Sequence, residues 1–260
     1  MSKSIVVFLK YSPNESKEIF TKGKVLYAGS LNSYSQMYND DGVEWDEFRL
    51  IKYTREQSYS DDIIEFNNLK NEFVSYRIIL IKLYSKFRFI LVKIIERIKN
   101  LIYAYDTSIN LAKMESPRKR KLRTAGNFLN YKNQQNLTIR NYGMKPVYFV
   151  NLMKYRKIAQ YPDGYEGKQI SGKKAGRIYG RVANKVNRKF KNYVKFIGRP
   201  KNTIADNTGT VIKWESFALV RYDNIKSILK FAQDKMFQKA IDHKDAAIDQ
   251  TYVYASFDKN

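Results

Sequence analysis

The stretch EWDEFRLIKY, residues 44–53, returns as KWESFALVRY at residues 213–222. The echo extends upstream at a constant offset of 169: Gly29 stands 16 residues before Trp45, and Gly198 stands 16 before Trp214. In that register Val25 matches Val194, Tyr27 matches Phe196, Phe48 matches Phe217, Leu50 matches Leu219 and Tyr53 matches Tyr222. Earlier still, VVFLKY at 6–11 matches VNLMKY at 150–155 in another register, so the second copy carries an insertion between these strands. A repeat on this scale means two related structural units in tandem rather than a duplicated short motif.

The second copy is the easier to parse. KPVYFVNLMKYR is apolar and β-rich, and reads as a buried strand. In the next segment Ser171 is an N-cap, and Ala175, Ile178, Val182 and Val186 recur at helical spacing. NYVKFIG is a short strand ended by Gly198, and RPKNTIADNTG supplies turn residues. TVIKWESFALVRY is a strand with Trp214, Ser216, Ala218 and Val220 on one face and Phe217, Leu219 and Arg221 on the other. A single helix is expected from residue 223, with Ile228, Phe231, Met236, Phe237 and Ile241 along one side, before the closing strand TYVYASF.

The order β-α-β-β-α-β is that of the ferredoxin-like split βαβ unit, a four-stranded antiparallel sheet with helices on one face. The bare face needs a cover, and the sister sheet supplies one. The expected fold is therefore α+β: two ferredoxin-like units with antiparallel sheets packed face to face as a barrel, paired within one chain or between two copies. Residues 1–84 form a divergent first unit, with a second helix at 58–73 and a last strand at 76–84. Residues 85–143 form a helical connector and a basic linker, and residues 144–260 form the second unit.

Composition narrows the chemistry. Without cysteine there are no disulfides or thiolate sites, and with a single histidine, His243, a histidine-rich metal centre is excluded. No metal ligand set and no cofactor are implied. The apolar run near the N-terminus is too short for a signal peptide, which points to a cytoplasmic protein. A net charge of +23 attracts any polyanion, so a basic surface for nucleic acid or anionic membrane is the alternative to small-molecule binding. The basic stretch 116–127 and a stripe of Lys82, Lys86, Lys93 and Arg97 are where that alternative would reside, although such runs are usually solvated faces.

VYFVNLMKYR, SGKKAGRIYG, FIGRPKNTI, KWESFALVRYDNIKSILKF and MFQKAIDHKDAAIDQT occur in the order and spacing of a family catalogued as a domain of unknown function, family thirteen-thirty, of the dimeric α+β barrel superfamily. Residues 145–257 resemble it nearly end to end, whereas the first unit matches only through its strands. The resemblance implies a ferredoxin-like fold with a cleft between paired sheets. It also implies a small organic ligand, and superfamily members include cofactor-free monooxygenases and isomerases.

The candidate site residues carry an alternative each. Asn151 lies inside an apolar strand, matches an asparagine of the family and has Val7 as its counterpart in the first copy; a buried amide must be hydrogen-bonded, by a ligand or by the backbone. His243 is expected to follow the last helix in a charged, exposed segment, matches the histidine position of the family, and is the obvious acid or base near neutral pH; the alternative is an inert surface histidine. Tyr179 would orient a ligand carbonyl or fill space against the sheet. Trp214, like Trp45, is a ligand platform or core. Arg221, matched by Lys52, would compensate an anionic group or pair across strands. No phosphate-binding loop, dinucleotide fingerprint or serine elbow is present.

Overall fold

The computed structural model describes residues 3–12, 19–31, 36–38, 45–84, 145–161, 169–209 and 212–258. The first unit contains β1 (Lys3–Tyr11), β2 (Lys24–Ser30), a short β3 (Gln36–Tyr38), β4 (Glu47–Tyr53), α1 (Glu56–Leu69) and β5 (Phe73–Leu83). The second contains β6 (Val147–Tyr155), α2 (Gly172–Lys189), β7 (Tyr193–Asp206), β8 (Ser216–Tyr222), α3 (Ile225–Gln233), α4 (Lys235–Ala247) and β9 (Ile248–Asp258). The expected connector helix and basic linker, with Lys86, Lys93 and Arg97, lie outside the described residues.

Each unit has the ferredoxin-like strand order: β5-β1-β4-β2 in the first and β9-β6-β8-β7 in the second, all antiparallel. The sheets also join at both edges. β5 pairs with β7 from Arg77↔Asp206 to Leu83↔Gly198, and β2 pairs with β9 through Gly29↔Asp258 and Ser30↔Phe257. Eight strands thus close into one barrel within a single chain, and β3 adds to β9 outside that ring. Closure removes the open sheet edges that two separate sheets would leave.

The repeat maps onto this topology strand for strand. The β2–β4 register slips between Val25 and Tyr27, and the β7–β8 register slips between Val194 and Phe196, positions related by the same offset of 169. A bulge kept in both copies bends both strands alike. In the second register Val7 pairs with Arg49 and Asn151 pairs with Ala218, which confirms that Val7 and Asn151 are equivalent positions.

Strand alternation separates two environments. Inside the barrel, Val6, Phe8, Phe48, Leu50, Ile79 and Ile81 of the first unit meet Val150, Leu152, Phe217, Leu219, Tyr252 and Tyr254 of the second. The repeat-related rings of Phe48 and Phe217 touch across the centre, with centroids 6.5 Å apart. Each buried aromatic of this kind contributes about 1.5–3 kcal/mol through area removed from water. Outside, one cluster lies between the second sheet and α2, α3 and α4, and another between the first sheet and α1.

Three expectations about elements are corrected. β7 runs on to Asp206 through residues assigned to turns, because beyond Gly198 it hydrogen-bonds with β5 of the other unit. Pro200 is tolerated there beside a register slip at Leu80/Ile81, where the ladder is already broken. The last helix is two helices: Asp234 accepts from Met236 N at 2.9 Å and Phe237 N at 3.4 Å, which caps α4 and ends α3. Finally, β8 begins at Ser216, so Trp214 precedes the strand and does not follow its alternation. Its ring enters the barrel interior beside Phe217 and Leu219 instead of sharing a face with Ala218 and Val220.

Candidate functional site

The five candidate residues fall in two places. Asn151, Tyr179 and His243 belong to the helix side of the second unit, whereas Trp214 and Arg221 belong to the barrel side. Trp214 is buried, with its ring 4.7 Å from that of Tyr252, and is core. Arg221 follows Phe217 and Leu219 in alternation. It reaches Asp223 at 3.4 Å and lies 5.6 Å from the ring of Tyr193, so its charge is already engaged at the barrel end.

Asn151 is half-buried on β6, between Phe149 and Met153 on the outward parity. Its Nδ2 donates to Phe149 O at 2.9 Å and to Ala218 O at 3.3 Å. Two carbonyl acceptors fix the orientation of the amide, because the reversed group would set oxygen against oxygen. Oδ1 therefore points away from them and has no hydrogen-bond partner among the described residues.

His243 is on α4 and is buried, contrary to the exposed position expected. The helix continues through its charged segment to Ala247, and Ala240, His243 and Ala247 recur on the packed side at helical spacing. Its Nδ1 lies 2.6 Å from the Tyr161 hydroxyl, with the two rings edge to face. Burial lowers the imidazole pKa below its ordinary value, and Asp242 opposes this only in part, so the ring is neutral at pH 7. A neutral imidazole has one acceptor and one donor nitrogen.

Tyr161 is held by a loop laced to the end of α4. Arg156 N donates to Ala247 O and Gln160 N to Ala246 O, both at 2.9 Å, while Ala159 N donates to Ile170 O at 2.8 Å. The start of α2 closes over this loop at Gly172, where an added Cβ would lie 2.4 Å from Arg156 O and 2.6 Å from Ala247 O. Only glycine permits that approach.

Tyr179, on α2, has its ring 6.0 Å from Phe237 and 6.0 Å from the Lys244 Nζ. The Lys244 ammonium, not singled out from the sequence, is held below the ordinary lysine range by burial, with Asp245 acting the other way. Beneath it, burial and Tyr179 push the Tyr222 phenol well above its ordinary range, which keeps it protonated. The helix side of the second unit thus carries a half-buried amide on β6, a neutral imidazole on α4 paired with a phenol, and a cation on α4 beside an aromatic face of α2.

The first unit fills the same place differently. Where the second unit has Asn151 and Ala218, the first has Val7 and Arg49. Arg49 pairs with Glu47 and donates to Ile19 O at 2.7 Å, while the Tyr11 hydroxyl donates to Glu47 at 2.6 Å. Ile19 and Phe20 are buried against the sheet, with Phe20 stacked on Phe66 at 5.6 Å. Phe20 adopts φ +60°, a left-handed conformation that costs a bulky residue on the order of 1 kcal/mol or more and that its packing sustains.

Sequence reasoning missed one other charged group. Arg77 on β5 faces the barrel interior at 1% exposure. It pairs with Asp206 of the second unit, donates to Thr208 Oγ1 at 2.6 Å and lies 4.9 Å from the Tyr252 ring. Its alternation with Ile79 and Ile81 was the available signal. Among the described residues no group of three or more His, Cys, Asp or Glu side chains converges to hold a metal ion. No described helix is long and apolar enough to cross a membrane.

The fold is thus α+β, two ferredoxin-like units closed as a barrel. No family model matches the chain, and no curated protein does. Among solved structures, a protein of unknown function from Rhodopseudomonas palustris aligns at a TM-score of 0.41 and 20% identity, over 48% of this chain and 90% of its own. A provisionally named monooxygenase from Lactobacillus acidophilus NCFM aligns at 0.41 and 9% identity, over 98% and 92%. Another from Fusobacterium nucleatum subsp. nucleatum aligns at 0.41 and 9%, over 100% and 94%.

Proposed function

We propose that the second unit binds a small organic molecule between its sheet and helices α2 and α4, and that the first unit completes the barrel without a site of its own. The observation that carries this reading is Asn151. Its amide is oriented by two carbonyls so that Oδ1 is presented, half-buried and without a protein partner among the described residues. An acceptor held in this way selects a ligand N–H or O–H, because leaving it unpaired under a ligand costs about 1–3 kcal/mol. The contrast with the first unit supports it, since Arg49, Glu47, Tyr11 and Phe20 occupy the equivalent place.

Within this reading Tyr179 and Lys244 border the ligand, and His243 is the proton acceptor of a cofactor-free reaction of the isomerase or monooxygenase kind. The neutral imidazole suits that role. The resemblance of residues 145–257 to family thirteen-thirty and a cytoplasmic location belong to the same proposal. The cleft between the sheets, expected to hold the ligand, is crossed by touching aromatic side chains, which favours the helix side. Trp214 and Arg221 then have structural roles.

The test is saturation-transfer NMR with a library of small phenols, amides and carboxylic acids against the wild type, Asn151→Leu and the barrel-side variant Trp214→Phe. Binders are expected whose signal falls at least about fivefold in Asn151→Leu, the effect of losing roughly 1 kcal/mol, and persists in Trp214→Phe. Binders that ignore Asn151→Leu and disappear in Trp214→Phe would place the ligand inside the barrel and refute the proposed site.

A further inference from the structure

The outer face of α2 is cationic without interruption. Its 18 residues carry Lys or Arg at 173, 174, 177, 181, 185, 188 and 189, and no Asp or Glu. α1, by contrast, carries Glu56, Asp61, Asp62 and Glu65 and no Lys or Arg, so the basic face is a property of this helix and not of every helix in a basic chain. Lys173 lies 3.9 Å from Glu215, and Lys189 lies 2.7 Å from Asp234. Lys174, Arg177, Arg181 and Lys185 have no carboxylate partner within salt-bridge distance among the described residues.

Those four side chains lie within about 80° of one another at 100° per residue. They span about 17 Å of helix axis at 1.5 Å per residue. Concentrating like charges along one stripe is unfavourable in isolation, and a ligand that brings a matching row of negative charge relieves it. A nucleic-acid duplex presents one phosphate charge per about 1.7 Å of its axis, a linear array on the scale of this stripe.

An anionic membrane is the poorer match. A surface-binding amphipathic helix inserts its apolar face into the lipid, but the apolar face of α2, with Ala175, Val182 and Val186, is already buried against its own sheet. The exposed face offers mainly charge, with Asn184 and the part-exposed Ile178 beside it and no apolar stripe. It also carries no aromatic residue on which unpaired bases would stack, which favours a duplex over a single strand.

We infer that the Lys174–Arg177–Arg181–Lys185 face of α2 binds the phosphate backbone of double-stranded nucleic acid without reading its sequence. This surface is separate from the proposed small-molecule site, which lies on the opposite, buried side of the helix.

The experiment is fluorescence anisotropy of the full chain with a labelled 20-base-pair DNA duplex and an RNA duplex, from 50 to 300 mM NaCl. Two variants of equal net charge are compared. One is Lys174→Gln/Arg177→Gln/Arg181→Gln/Lys185→Gln; the other, at exposed positions of α3 and α4, is Lys226→Gln/Lys230→Gln/Lys235→Gln/Lys239→Gln. Each changes +23 to +19, since 23 − 4 = 19. The α2 variant is expected to lose at least about tenfold in affinity at 100 mM salt. Its slope of log K against log salt should fall by about 2–4, at roughly 0.9 per phosphate contact. The α3/α4 variant should stay within about threefold of wild type. Equal losses in the two variants would show general charge attraction and overturn the assignment. It would equally be overturned by no loss in the α2 variant, or by loss of binding to phosphatidylserine vesicles with duplex binding retained.

Discussion

Replacing Asp206 by alanine is expected to destabilise the folded chain by about 3–5 kcal/mol, the cost of leaving a buried charge without its counter-ion. Arg77 comes from β5 of the first unit and Asp206 from β7 of the second, and both side chains are almost fully enclosed at that seam. The carboxylate also accepts from Thr208 N at 2.9 Å and from Thr208 Oγ1 at 2.7 Å, so its loss frees the turn that ends β7. Urea unfolding should show a lower midpoint with little change in slope, and Tm should fall by about 6–20 °C for a chain of this size. The double variant Arg77→Met/Asp206→Leu removes both charges and should return to within about 2 kcal/mol of wild type. A loss below about 1 kcal/mol in Asp206→Ala would mean that the ion pair is not enclosed as described.

The second large effect concerns the other seam. At Gly29 an added Cβ would lie 2.2 Å from Ser256 Oγ, 2.4 Å from the Tyr27 hydroxyl and 2.7 Å from Phe257 O. The last of these is backbone of the paired strand, so relief requires the strands to part. Tyr27 donates to Ser256 at 2.9 Å across the same seam, and that buried bond would be displaced as well. Gly29→Val should therefore cost about 3 kcal/mol, the upper part of the range for overpacking. Gly198→Ala at the first seam should cost about 1–2 kcal/mol, because its nearest contacts are the β-branch methyl of buried Ile81, Cγ2 at 2.6 Å, and the Lys82 backbone O at 3.1 Å, against 2.7 Å for the nearest backbone contact at Gly29. Equal, small losses at both positions in urea titrations would contradict the closed geometry. These two glycines hold matching places in the repeat, and the structure gives the reason: each sits where one unit's second strand meets the other unit's last strand.

The repeat made the sheet order of both units legible, whereas the bulge shared by Val25–Tyr27 and Val194–Phe196 showed only in the strand pairing. The order was legible because strand alternation and register are local properties. The continuation of β7 past Gly198 was not, since its hydrogen-bond partner lies more than a hundred residues away on β5, and Pro200, Asn202 and Asp206 read locally as turn residues. Trp214 was assigned to the wrong face because two-residue alternation was extended beyond the point where β8 begins. His243 was legible as a candidate and illegible in its environment: Asp242, Lys244 and Asp245 suggested exposure, whereas helical spacing through Ala247 turns the imidazole inward. Arg77 escaped notice because a cation within an isoleucine-rich strand has meaning only once Asp206 is brought opposite it.

The two units close on each other within one chain, and the β5–β7 seam allows this to be measured directly. Lys82 and Arg199 are cross-strand partners at the β5–β7 seam, and both are exposed. Directly opposed residues in antiparallel strands have Cα atoms about 4.5–5.5 Å apart, within the range a disulfide spans. The chain has no cysteine of its own, so Lys82→Cys/Arg199→Cys leaves one possible pairing within a molecule. Oxidation under dilute conditions, read by non-reducing electrophoresis and thiol counting, should give a species of single-chain mass with no free thiol. Disulfide-linked pairs of chains, or two thiols that remain free, would contradict the closed single-chain barrel.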